Sequence, residues 1–184
     1  MTTLIVLAVI ALFIAFYFVG MYNKFVRKRS MMEEGWSGID VQLKKRYNLI
    51  PNLVETVKGY ATHEQETLQQ VISARNSALN AEGVQAQTQA ENQLQSALAN
   101  VFALSEAYPD LKANTNFLQL QNELSDIESD VEKARRYYNA TVRENNIMVE
   151  SFPSNIVANM FSFYLGDFFE IDEESQRSLP KVQF

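Results

Sequence analysis

Hydrophobic positions begin with an unbroken apolar run near the N-terminus. Leu4 to Tyr22, LIVLAVIALFIAFYFVGMY, contains no charged residue and no proline. A helix of about 20 apolar residues spans the hydrocarbon core of a bilayer. The competing interpretation is a cleaved signal peptide, but the flanks lack its charged n-region and its small-residue cleavage site. The pattern therefore predicts an uncleaved transmembrane helix over residues 4–22, preceded by a short tail of residues 1–3.

A basic flank follows the run at once. Its four cations are Lys24, Arg27, Lys28 and Arg29. Lys and Arg close to a span are retained on the cytoplasmic side, and the same side chains attract anionic lipid. We therefore expect residues 23–31 to form a basic juxtamembrane linker, with the N-terminus outside and the rest of the chain in the cytoplasm.

Beyond this flank, apolar residues recur at steps of three and four, which is the period of an amphipathic helix. Pro51 interrupts the first such face without changing its phase, so it predicts a kink and not a stop. The second face is a heptad of the kind found in coiled-coil packing. The first face comprises Met32, Trp36, Ile39, Leu43, Tyr47, Ile50, Val54, Val57 and Ala61, and the second comprises Phe117, Leu120, Leu124, Ile127, Val131, Ala134, Tyr138, Thr141, Asn145 and Met148.

Helix-breaking segments divide residues 32–151 into four helices. They are Gly59–Thr62, Asn80–Gly83, Pro109 and Ser151–Pro153. Thr62 with Gln65 matches a capping box for the second helix, and Asn116 with Gln119 matches an N-cap for the fourth. The alternative is a single rod over residues 32–80 of about 75 Å, half of which would lack a packing partner. We therefore predict an all-α protein in which the transmembrane helix precedes an antiparallel up-down four-helix bundle.

The C-terminal extension, residues 152–184, combines aromatic and acidic residues. Phe161, Phe163, Phe168 and Phe169 are followed by the acidic run Glu170–Glu174. Large aromatic side chains need burial, so they either cover the bundle's own core or form an interaction surface for another subunit, a partner or the lipid interface. The acidic run is expected to be solvated.

Two basic clusters lie beside the apolar faces of the first and fourth helices. They are Lys44, Lys45 and Arg46, and Arg135 and Arg136. The simpler interpretation is that these side chains are solvated or paired with acidic groups across the bundle. The alternative is a composite basic surface that recognises an acidic partner, such as the acidic run of a neighbouring copy.

Composition excludes several kinds of chemistry. The absence of cysteine excludes disulfides, thiolate metal sites, cysteine nucleophiles and a lipoprotein anchor. Subtracting the four cations of the flank from the net charge of −6 leaves −10, and a domain this acidic is repelled by nucleic acid. His63, the single histidine, lies beside Glu64 and Glu66 without a second imidazole four residues away. We predict no catalytic, cofactor or metal site.

Several segments resemble the LemA family of bacterial membrane proteins, over nearly the whole chain. They are IDVQLKKRYNLIPNLVETVKGYATHEQETL (residues 39–68), NFLQLQNEL (116–124), ARRYYNATVRENN (134–146), SFPSN (151–155) and the ending PKVQF (180–184). The departures are small and lie mainly in residues 80–95. The resemblance implies a four-helix up-and-down bundle in a bacterial cytoplasmic (inner) membrane, in a family with no established enzymatic activity.

The sequence thus predicts a non-enzymatic membrane-anchored scaffold or adaptor that self-associates. The alternative is a regulatory or membrane-shaping subunit that acts on a neighbouring membrane protein. The expected partners are the lipid bilayer, further copies of the chain and a membrane protein of unspecified kind.

Overall fold

The computed structural model describes residues 1–170, and this part of the chain is helical without strands. The helices are α1 (Thr2–Lys58), α2 (Gln65–Leu79), α3 (Val84–Ser105), α4 (Pro109–Lys112), α5 (Thr115–Glu150) and α6 (Ser154–Phe161). Residues 162–170 continue without regular secondary structure. Asp172, Glu173 and Glu174 of the expected acidic run and the PKVQF ending lie outside the described residues.

The first helix is longer than the sequence pattern suggested. α1 is one helix of 57 residues that includes the apolar run, the basic flank and Pro51. Residues 23–31, expected as a linker, are therefore helical. The helix continues past Pro51, as the unchanged phase of the apolar face predicted.

The chain divides into two compact units. The first, called the two-helix unit for its two long helices, combines Met1–Asp40 with Lys133–Phe168 and also contains the short helix α6. The second, called the four-helix unit for its four long helical segments, contains Val41–Glu132 and also the one-turn helix α4.

The four-helix unit is an antiparallel up-down bundle. Short connections join successive helices, and α2 packs against α3 as a helical hairpin. Its core contains Leu43, Tyr47, Ile50, Leu53, Val54, Val57, Leu68, Val71, Leu94, Leu98, Val101, Leu111, Phe117, Leu124 and Val131, all buried. Each large side chain of this kind contributes about 1.5–3 kcal/mol when fully buried. The predicted turn at Gly59–Thr62 is confirmed, since α1 ends at Lys58 and α2 begins at Gln65.

The two-helix unit pairs α1 with α5 and adds α6. Phe25, Val157 and Ala158 are fully buried and form its hydrophobic centre, against which Phe18, Met21, Met148, Val149 and Phe163 pack. A Cβ on Gly35 would lie 3.1 Å from the Cα of Tyr138, so the missing side chain permits a close approach of α1 to α5. Part of the C-terminal extension thus covers apolar residues of its own chain.

Two predicted helix caps are wrong. α2 begins at Gln65 after Glu64, which makes no side-chain capping bond, so Thr62 and Gln65 do not form a capping box. α5 begins two residues earlier than the pattern suggested, and Asn114 Oδ1 accepts from Phe117 N at 3.0 Å. Asn114 therefore caps α5 in place of Asn116, because its oxygen reaches the third amide of the helix.

Candidate functional site

A buried polar cluster joins α1 to α3 and α5 within the four-helix unit. Arg46 Nη1 lies 3.3 Å from Glu91 Oε2, and Arg46 Nη2 lies 3.3 Å from Glu128 Oε2. Arg46 is 4% exposed and Glu91 is fully buried. Because a buried charge is costly unless it is paired, these ion pairs fix the facing helices in one register.

Tyr47 and Gln87 complete the cluster. The Tyr47 hydroxyl donates to Glu91, and Gln87 Nε2 lies 2.8 Å from that hydroxyl and 3.0 Å from Glu91 Oε1. Gln87 Nε2 also reaches the carbonyl oxygen of Ala78 at 3.2 Å. The cluster therefore connects three helices and the end of α2.

Burial has the largest effect on the pKa of Glu91 and on that of Tyr47. It raises the pKa of Glu91, against the opposing effects of the Tyr47 hydroxyl, Arg46 and Gln87. Burial, followed by the nearby Glu91 carboxylate, also raises the pKa of Tyr47. Tyr47 is therefore a protonated hydrogen-bond donor, and the arrangement holds helices together without activating a nucleophile.

Arg75 on α2 adds a contact to the backbone of α1. Its Nε donates to the carbonyl oxygen of Tyr47 at 2.8 Å. In an uninterrupted helix that carbonyl would accept from the amide of residue 51, but Pro51 has no N–H. Arg75 replaces the missing helical donor.

In the two-helix unit, side chains of α5 hold the segment 162–168, which we call the strap. Asn146 Nδ2 donates to Gly166 O at 3.0 Å, and Gly166 N donates to Asn146 Oδ1 at 2.8 Å. Asn145 Nδ2 donates to Tyr164 O at 3.0 Å. The Tyr138 hydroxyl donates to Asp167 O at 3.0 Å. These bonds satisfy backbone groups that lie outside regular secondary structure.

Two of the membrane-flank residues, Lys28 and Arg29, form ion pairs with acidic side chains. Lys28 pairs with Glu144 of α5, and Arg29 Nε lies 3.1 Å from Glu33 Oε1 one turn further on. Lys24 and Arg27 are exposed. The flank therefore presents positive charge along α1 and also contacts α5.

The two predicted basic clusters have different surroundings. Lys44 and Lys45 are exposed, whereas Arg46 is buried in its ion pairs. Arg135 is half-buried and Arg136 is exposed. The clusters belong to different units, and Arg46 contributes nothing to an exposed basic surface.

The predicted phenylalanines are also divided between interior and surface. Phe161 is 46% and Phe168 38% exposed, Phe163 is half-buried, and Phe169 is fully buried. Phe163 stacks on Phe25 with ring centroids 4.7 Å apart, and both Phe161 and Phe163 meet Tyr22 edge-on at 5.0 and 5.6 Å.

Two sequence features were considered for metal binding and for a membrane, namely His63 and the apolar run of α1. His63 is exposed in the connection between α1 and α2. Residues 1–170 contain no group of three His, Asp or Glu side chains arranged to hold a metal ion. Within the same residues, α1 is the one helix long and apolar enough to cross a membrane, with a mean hydropathy of 2.9 over its apolar window, none of which is buried.

Sequence reasoning missed Glu91, Gln87, Arg75 and the strap contacts. Gln87 and Glu91 continue the spacing of Leu94 and Leu98 on α3, which is a signal that they face inward. The partner of Arg75 follows from Pro51, which leaves the carbonyl four residues earlier without a donor. No comparable signal shows that Asn146 meets Gly166.

α1 contains an apolar run long enough to cross a membrane and also contributes to a four-helix bundle, whose helices are joined by buried polar contacts. These features define a membrane-associated helical-bundle protein. The family model described as the LemA family matches residues 35–184, so the chain belongs to the LemA family. The resemblance seen in the sequence is thereby confirmed.

Two kinds of relatives are similar over most of the chain. Protein LemA of Metamycoplasma hominis is 26% identical over 159 residues, covering 86% of this chain and 73% of the relative. Magnetosome proteins MamQ 1 and MamQ 2 of Paramagnetospirillum magneticum are each 23% identical over 175 residues, covering 81% of this chain. The chain spans 64% of the length of each MamQ protein.

Proposed function

We propose that the chain is a non-enzymatic, membrane-anchored helical scaffold that self-associates. The observation that carries the proposal is the continuity of α1, in which the residues suited to a membrane and those that build a bundle core belong to one helix. The buried side chains Arg46, Tyr47 and Glu91 are engaged in helix-to-helix contacts, which favours a structural role over turnover.

The anchor is proposed to cross the bacterial cytoplasmic (inner) membrane once, with the N-terminus outside. Support comes from the exposed apolar residues of α1 and from the cations Lys24, Arg27, Lys28 and Arg29 that follow them. A reporter that is active only in the cytoplasm, fused after Phe184, is expected to be active. Activity of a periplasmic reporter alone at the same position would contradict this orientation.

Self-association is supported by a shallow groove between α2 and α3. Every residue that lines it is Ala, Asn, Gln or Ser, and these include Ser73, Ser77, Asn92 and Ser96. A groove lined only by uncharged residues, several of them small, permits close contact with an identical surface on a second copy without desolvating charges.

The test is the mass of the full chain in a mild detergent, measured at several protein concentrations. We expect an oligomer that dissociates when Ser73→Glu and Ser96→Glu are combined, because two buried like charges would repel their counterparts. Ser129→Glu, on the exposed surface of α5, is the matched control and should leave the mass unchanged. A particle that is monomeric at every concentration would contradict self-association.

A regulatory or membrane-shaping subunit is the second candidate. The exposed rings of Phe161 and Phe168 favour it, since exposed apolar surface marks interaction sites. Photo-crosslinkers at these two positions should then capture a neighbouring membrane protein. Cross-links to lipid or to the same chain alone would count against it.

A further inference from the structure

Helix α6 packs against the last turns of the apolar run. Val157 and Ala158 of α6 are fully buried in one hydrophobic cluster with Phe25. Phe18 and Met21, which belong to the run predicted to cross the membrane, pack against the same cluster. The contact therefore extends from α6 into the apolar segment itself.

Aromatic contacts place the chain after α6 at the same level. Tyr22, the last residue of the apolar run, meets Phe161 at 5.0 Å and Phe163 at 5.6 Å between ring centroids. At 1.5 Å per residue, Phe18 lies about 6 Å nearer the N-terminus of the helix than Tyr22. A segment that meets Tyr22 and shares a hydrophobic cluster with Phe18 and Met21 lies at the depth where a spanning helix leaves the hydrocarbon.

The segment has the composition that this depth demands. Residues 151–166, SFPSNIVANMFSFYLG, contain no charged side chain, and Glu150 and Asp167 border the segment. Large apolar side chains within it face outward, with Phe152 81%, Met160 61% and Tyr164 77% exposed. Exposed apolar side chains at headgroup depth lose contact with water when lipid covers them.

The charge nearby fits the same occupant. Lys24 and Arg27 are exposed on α1 within five residues of Tyr22. Cations at this depth interact favourably with anionic headgroups, by about 1 kcal/mol for each residue near the surface. A soluble partner could also bury the exposed apolar side chains. Their position beside a basic flank and a spanning helix is instead what contact with a lipid surface requires.

We propose that residues 151–166 are a second membrane-contact site, in which α6 and the start of the strap lie in the headgroup region with their exposed apolar side chains in the acyl boundary. The contact holds the end of α5 at the bilayer surface and limits rotation of the spanning helix. The proposal rests on the membrane crossing proposed above.

The test measures label depth in nanodiscs that hold one full chain each, made of phosphatidylcholine with phosphatidylglycerol. Because the chain has no cysteine, single cysteines can be introduced without removing others. Met160→Cys and Tyr164→Cys probe the proposed contact, and Ile10→Cys probes the apolar run. Leu79→Cys, 45% exposed at the end of α2, is the aqueous control. Circular dichroism confirms that each labelled chain is folded.

Spin labels at positions 160 and 164 are expected to be severalfold less accessible to an aqueous nickel chelate than the label at position 79, and severalfold more accessible to oxygen dissolved in the acyl region. Equal chelate accessibility at all three positions would overturn the contact. Protection from both reagents would also overturn it, because protein and not lipid would then cover the site. If position 10 is in the bilayer but 160 and 164 are aqueous, the membrane crossing stands and the second contact fails. An aqueous position 10 would refute the crossing itself.

Discussion

Arg75 Nε lies 2.8 Å from the carbonyl oxygen of Tyr47, the helical carbonyl that Pro51 leaves without a donor. The proline and the arginine are therefore complementary, although they belong to different helices. This relationship explains why α1 continues past its proline and remains packed against α2.

Removing the arginine should cost stability only while the proline is present. Arg75→Met is expected to lower the free energy of unfolding by about 1–2 kcal/mol, because the Tyr47 carbonyl loses its donor. In a Pro51→Ala chain, the amide of residue 51 supplies the helical bond, and the cost of Arg75→Met should fall below about 0.5 kcal/mol. Urea unfolding of the four full-length chains in detergent, followed by circular dichroism, measures the difference.

Arg29→Met is the control for loss of an arginine. Its ion pair with Glu33 is exposed, so the expected change is about 0–0.5 kcal/mol. Equal costs of Arg75→Met with and without Pro51 would show that Arg75 acts through something other than this carbonyl.

The dependence of folding stability on pH should show the effect of burying the Glu91 carboxyl group. Its pKa is raised in the folded chain, chiefly by burial. A raised carboxyl pKa contributes stability that is fully present below the unfolded value of about 4.3 and is lost as pH rises through the folded value. The stability of the natural chain relative to Glu91→Gln should therefore fall as pH increases from about 4 towards neutral.

The measurement is the difference in unfolding free energy between the two chains across that range. Glu123→Gln is the control, since its side chain is not part of the cluster and bonds to Gln119 of the same helix. A relative stability that rises with pH would show that Arg46 and the hydrogen-bond donors outweigh burial.

Replacing each of two glycines of α1 by alanine should change the free energy of unfolding in opposite directions. A Cβ on Gly35 would meet the Tyr138 backbone at 3.1 Å, whereas one on Gly38 meets nothing within 4 Å. Gly38→Ala should raise the unfolding free energy by about 0.5–1 kcal/mol through helix propensity. Gly35→Ala should lack this gain and lose up to about 2 kcal/mol to overpacking. Thermal or urea unfolding compares the pair, and an equal gain at both positions would contradict the close approach of α1 and α5.

Asn146 should control how fast the backbone amides of the strap exchange their hydrogens. Asn146→Ala removes both hydrogen bonds to Gly166, and Asn146→Asp keeps the acceptor but loses the donor. Hydrogen exchange of residues 162–168 should therefore be fastest in Asn146→Ala and intermediate in Asn146→Asp. Asn122→Ala, exposed on the same helix, should not change it. Unchanged exchange in Asn146→Ala would show that other contacts hold the strap.

The inward positions of the two long helices could be predicted because helical periodicity is local. None of the residues assigned to the faces Met32–Ala61 and Phe117–Met148 is exposed. Arg46 was harder to place. It lies three residues after Leu43 and four before Ile50, so its spacing is that of the core, but the pattern gives no acidic partner for a buried charge.

Local sequence was enough to predict the helical class, the apolar run, the turn at Gly59–Thr62 and the family, because each depends on residues close together in the chain. The tertiary structure decided which polar groups meet. Arg75 pairs with the Tyr47 carbonyl, Arg46 with Glu91, and Asn146 with Gly166. These pairs depend on the rotation and axial position of one helix against another, which the summed packing of many side chains fixes and which no local spacing specifies.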